Sequence, residues 1–146
     1  MFEKIGMKKP VFYNIKKFKG NFALAVTSGT AALRIALASK NIGKGDEVIT
    51  QSFTFVATVE AIVEARANPV CTEIDETLNM DPKDLLKKIT KKTKAVIVVH
   101  MLGVPARLDK IKEICRKKKI KHFSLSTTTN LLKTRGNLQE NARIME

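Results

Sequence analysis

The run Lys94-Ala95-Val96-Ile97-Val98-Val99 constrains the fold more than any other stretch of the chain. It is continuous, apolar and β-branched, so it cannot alternate between a wet and a dry face. Such a strand suits a sheet covered by helices on both sides. Phe22-Ala23-Leu24-Ala25-Val26 has the same character, and shorter strands are expected at Glu47 to Thr50 and Pro69 to Ile74. Helical patterns fall between them. Ala31 to Ser39 carries Leu33, Ile35, Ala36 and Leu37 on a helix-favouring background. Val59, Ile62 and Val63 mark a helix from Val56 to Arg66, which Asn68-Pro69 breaks. Pro82 opens a third helix to Ile89, with Leu85, Leu86 and Ile89 as its buried face. Leu108, Ile111, Ile114 and Cys115 define a fourth, amphipathic one. Strands alternating with helices predict an α/β fold, a mainly parallel sheet with right-handed crossovers. No internal repeat or low-complexity linker interrupts it.

Size and charge narrow the function. At 146 residues the chain allows one domain. It contains no apolar run of transmembrane length, and MFEKIGMKKP lacks the apolar core of a secretory signal. Cys71 and Cys115 fit no metal spacing and are expected as reduced, buried thiols of a cytoplasmic protein. The net charge of +13 comes from 27 Lys+Arg against 14 Asp+Glu, concentrated in segments such as KKITKKTK and RKKKIK. Nucleic acid is one reading of that charge. The basic runs are poor in arginine and contain no aromatic residue, which favours a solvated lysine-rich surface instead.

Two stretches carry candidate chemistry. Thr27-Ser28-Gly29-Thr30 stands between a strand and a helix, where ligands of parallel sheets bind. Gly29 permits close approach to the backbone, the hydroxyls of Ser28 and Thr30 can donate, and the first helical turn presents free N–H groups. A phosphate cup and a plain serine N-cap look alike at this level. The pattern matches neither the dinucleotide nor the triphosphate glycine loop. In Gln51-Ser52-Phe53-Thr54-Phe55, an aromatic ring could cover a flat ligand; Phe53 is expected in the core, while Phe55 is open to either role.

Five blocks, SGTAALRIAL, GDEVITQSFTFVATVEAI, NPVCTEIDETLNMDP, ITKKTKAVIVVHMLGVPA and LDKIKEIC, resemble the DegT/DnrJ/StrS aminotransferases in order and spacing. The resemblance covers residues 22–121. It implies the partial large domain of a fold type I pyridoxal-phosphate-dependent transferase, with helices on both faces of the sheet. Residues 1–21 match poorly, and residues 122–146 diverge. The family implies pyridoxal 5'-phosphate as cofactor, a nucleotide-linked keto-sugar and an amino donor as substrates, and a homodimer. Carried over by position, Gly29 and Thr30 would hold the cofactor phosphate with Ser28 assisting, and Phe55 would stack on the pyridine ring. His100, in the VHMLG block, is expected to be structural or to act through a neighbour.

The family's catalytic acid and Schiff-base lysine have no counterpart in the motifs of this sequence, and Lys133 lies in no matching context. The chain as given is therefore expected to be inactive in transamination. A frameshift after Ile120 is expected, because Leu131-Leu132-Lys133-Thr134 can be encoded so that another frame reads Ile-Glu-Asp. The alternatives are a non-catalytic remnant that binds phosphate ligands weakly, or a basic nucleic-acid-binding α/β module. Unpaired strand edges and exposed apolar surface are expected to make the isolated polypeptide poorly soluble.

Overall fold

A computed structural model describes residues 26–125, with side chains described as far as residue 120. The predicted strand at Phe22 to Val26 lies outside these residues except for Val26, as do the opening segment and most of the divergent tail, Lys133 included. Four helices and four strands alternate in the order α1 (Gly29–Ser39), β1 (Glu47–Gln51), α2 (Val56–Glu64), β2 (Asn68–Thr72), α3 (Pro82–Lys88), β3 (Thr93–Val99), α4 (Leu108–Lys118) and β4 (Lys121–Leu125). The strands form one parallel sheet in the order β2-β1-β3-β4.

Alternation along the strands divides the core between two faces. Val48, Ala95 and Ile97 pack with Leu33, Leu37, Ala61 and Ile62 of α1 and α2. Their neighbours Ile49, Val96 and Val98 pack on the other face with Met80, Leu85, Ile111 and Cys115, beneath α3 and α4. A strand that serves both layers cannot carry an exposed polar face, which is why β3 reads as an unbroken apolar run. β1 and β3 are buried almost throughout. No helix of the described residues is long and apolar enough to cross a membrane.

Element ends differ from the sequence pattern for local reasons. α1 begins at Gly29 rather than Ala31, because Ser28 caps it: its hydroxyl accepts the Ala31 N–H at 3.1 Å. α2 stops at Glu64, and Arg66 takes the left-handed conformation that turns the chain into β2. β2 ends at Thr72 rather than Ile74. Ile74 instead bridges Met80 in antiparallel fashion across a loop closed by the Asp75 N–H on the Asn79 carbonyl. α3 starts on Asp81, whose carboxylate accepts the Lys83 N–H, with Pro82 in its first turn. It ends at Lys88, since Ile89 is already extended.

β2 lies at one edge among the described strands, with Asn68, Pro69 and Cys71 exposed. A proline, having no N–H to give, is tolerated in such an edge. The edge position also corrects one expectation. Cys115 is buried, but Cys71 is exposed.

Candidate functional site at the carboxyl end of the sheet

The winding of the sheet fixes where a ligand can enter. From β1 the chain crosses through α2 to β2, then returns through α3 to place β3 on the opposite side of β1. The loop after β1 leaves toward α2 on one face, and the loop after β3 leaves toward α4 on the other. The two loops part over the carboxyl ends of β1 and β3, the place where open parallel sheets take their ligands.

Gln51 spans this boundary. Its side chain is fully buried at the end of β1. Oε1 accepts the Val99 N–H at 3.2 Å, while Nε2 donates to the carbonyls of Phe53 at 3.0 Å and Leu78 at 3.2 Å. Three backbone segments are thereby tied to one amide.

Asn79 does similar work one layer out. Its Oδ1 accepts the Met101 N–H at 2.9 Å, and its Nδ2 donates to the carbonyls of Val104 and Thr77. The Asp75 carboxylate accepts the Thr77 N–H, and its other oxygen faces Arg107 Nε at 3.3 Å. Burial pushes the Asp75 carboxyl up. Hydrogen bonds from Thr77, the charge of Arg107 and the Asn79 amide outweigh that and hold it below its ordinary value.

The turn after β3 depends on His100. Its Nδ1 accepts the Ala106 N–H at 3.0 Å, which requires an unprotonated Nδ1. Burial lowers the His100 pKa from 6.5, in keeping with that neutral state. Between them Leu102 and Gly103 take positive φ, so a side chain at position 103 would be strained. His100 thus closes a tight turn.

α1 runs against the strands. Lys40 and Asn41, just beyond its last residue, line one groove with Asp46 and Thr93 at the amino ends of β1 and β3. Its first turn therefore points to the carboxyl end of the sheet, about 16 Å away along the helix axis. An ion pair between Arg34 and Glu64 joins α1 to α2. With Ser28 Oγ capping Ala31 and the Ser28 carbonyl accepting from Ala32, the N–H groups of Gly29 and Thr30 are the orphan donors of this turn among the described residues. A Cβ built on Gly29 would meet nothing within 4 Å among the described residues, so the backbone there faces open space on their side. The Ser28 hydroxyl accepts through a lone pair, and its hydrogen is still available to an anion.

Phe55 precedes α2 at the same end of the sheet, and 67% of it is exposed. Phe53 is 43% exposed, so the expectation that it belongs to the core does not hold. The reason is Gln51, which holds the Phe53 carbonyl and turns the segment out of the sheet.

A profile of the DegT/DnrJ/EryC1/StrS aminotransferase family matches residues 14–124. The chain belongs to that family. Among solved structures, DesV of S. venezuelae is 37% identical with a TM-score of 0.65, over 66% of this chain and 26% of its own. An aminotransferase of Psychrobacter cryohalolentis is 33% identical with a TM-score of 0.70, over 77% and 28%. Spr1654 of Streptococcus pneumoniae, assigned as a sugar aminotransferase and solved in its PLP form, is 30% identical with a TM-score of 0.62, over 73% and 31%. This DegT-family chain thus spans roughly a quarter to a third of the lengths of these three structures, and its sheet is a partial large domain of fold type I.

Neither Gln51 nor Asn79 was singled out by sequence reasoning. A polar residue closing a buried strand, in ITQ, was the available signal for Gln51. For Asn79, the polar loop before Asp81-Pro82 offered nothing to separate a buried amide from an exposed one.

Proposed function

We propose that this chain is the cofactor-gripping part of a pyridoxal-phosphate-dependent aminotransferase acting on nucleotide-linked keto-sugars. The observation that carries the reading is that an open helix start, Ser28 to Thr30, and an exposed ring, Phe55, stand at the same carboxyl end of one sheet. The donor set suits a phosphate dianion: two backbone N–H groups at the positive end of a helix dipole, two hydroxyls, and no Cβ at Gly29. When bound, pyridoxal phosphate supplies an electron sink for moving an amino group.

The chain's own residues bind and orient. Gly29 and Thr30 hold the phosphate through N–H groups, the Thr30 hydroxyl donates to it, and the Ser28 hydroxyl assists. The Phe55 ring covers one face of the pyridine and excludes water from it. Gln51 keeps the segment leading to Phe55 in register with β3. The acid and the lysine that complete such a site have no matching motif in this sequence, so we assign this stretch binding without turnover. An amino donor such as glutamate or glutamine, a homodimeric complete enzyme, a place in nucleotide-sugar and polysaccharide biosynthesis, and a cytoplasmic setting belong to the same reading.

Calorimetric titration of the full chain with pyridoxal 5'-phosphate and with pyridoxal tests it. The phosphate ester should bind and pyridoxal should not. Thr30→Val should weaken the phosphate ester by about tenfold, the effect of losing one charge-assisted hydrogen bond. Equal binding of both compounds, or no loss in the variant, would overturn the assignment.

A further inference from the structure

At the opposite end of the sheet a groove of about 770 Å³ opens between the amino ends of β1 and β3 and the last residues of α1 and α4. Five lysines line it: Lys40 beyond α1, Lys91 and Lys94 around the start of β3, and Lys118 and Lys119 at the end of α4. Asp46 is the one carboxylate among its lining residues, and its Oδ2 accepts the Gly43 N–H at 3.0 Å. Lys91, Lys94, Lys118 and Lys119 are all exposed. The Glu47 carboxylate, which accepts from the lining residues Thr90 and Thr93, adds a second negative charge. The carboxyl ends of two helices contribute roughly half a negative charge each, which leaves the groove positive by about two charges.

We propose that this groove binds a small anion bearing two or more phosphates, held through those phosphates. Compensation of two helix dipoles would need far fewer than five ammonium groups. The lysines come from three separate segments and surround a concavity, so one phosphate would reach only some of them. The volume lies within the range of small-molecule sites. Lysine acts as a point charge without the bidentate geometry of arginine, so binding should follow charge count and be strongly salt-dependent. The site stands apart from the helix start at Gly29 and does not depend on the function proposed for it.

Calorimetry on the full chain with inorganic tripolyphosphate, and separately with ATP, provides the test. Both should bind, and raising salt from about 50 to 200 mM should weaken them by roughly tenfold, because salt screens an attraction between several charges on each side. Equal affinities would mark free polyphosphate as sufficient; tighter ATP would mark a nucleoside source for the same phosphates. K91Q/K94Q/K118Q/K119Q should lose at least tenfold, whereas K83Q/K87Q/K88Q/K110Q, with the same change of charge, should lose less than about threefold. The smaller K91Q/K118Q change serves the same purpose if the fourfold variant loses its circular dichroism. Absence of binding, equal losses in the two sets of variants, or duplex DNA outcompeting tripolyphosphate at equal phosphate concentration would each overturn the proposal.

Discussion

The side-chain oxygen of Gln51 accepts the backbone N–H of Val99 at 3.2 Å, joining the last residues of two parallel strands where the sheet parts. A ladder hydrogen bond would be the ordinary way to hold strand ends together. Here a side chain takes over as the strands diverge. Gln51→Leu should cost about 1–3 kcal/mol, because it leaves the buried Val99 N–H without its acceptor. Gln51→Glu should cost more, since a carboxylate oxygen would face the carbonyls of Phe53 and Leu78. Urea denaturation of the full chain and its variants measures both.

Acid should loosen the turn after β3 before it affects the rest of the described fold. The folded pKa of His100 is depressed below 6.5, so the unfolded state binds more protons as pH falls through that value. Stability contributed by the neutral imidazole is therefore present above 6.5 and is lost as pH falls through the lower folded value. The protection factor of the Ala106 amide, the exchange rate relative to an unstructured amide at the same pH, should fall in that window, and His100→Gln should remove that fall. Asp75 acts in the same direction at lower pH, beginning below 3.8.

Gly29→Ala should separate stability from binding. A Cβ there meets nothing among the described residues, and alanine favours helix, so the change should be neutral or stabilise by up to about 1 kcal/mol. The same methyl would occupy the space a phosphate needs. Melting temperature should hold or rise while affinity for pyridoxal 5'-phosphate falls.

The two thiols should differ sharply in reactivity. Burial pushes the Cys115 thiol up to about 11, and its side chain is inaccessible. Cys71 is exposed on an edge strand. Iodoacetamide at neutral pH should label Cys71 in the native chain, and Cys115 only after unfolding.

What could be read from the sequence follows the physics of each element. β3 was legible because burial on both faces demands an unbroken apolar run, and α4 because burial on one face demands a stripe. β2 was drawn too long, since nothing in EID distinguishes a strand continuing from a chain turning to bridge Met80. The helix start at Ser28 was visible as a pattern, and the structure shows it as a serine N-cap with open space beside Gly29 among the described residues. Phe53 was misplaced because composition cannot report that the buried amide of Gln51, two residues earlier, donates to its carbonyl at 3.0 Å and turns the segment outward. The exposure of Cys71 likewise depended on β2 being an edge, which strand order alone decides.

The β2-β1-β3-β4 order has a consequence for assembly. As the polypeptide leaves the ribosome, β1, α2 and β2 can close on one another as a short unit, pairing Val48 with Pro69. The matching of Val48 to Ala95 must wait for a much larger loop to close. The seam that Gln51 stitches is therefore the joint that closes the longest stretch of chain among the described strands.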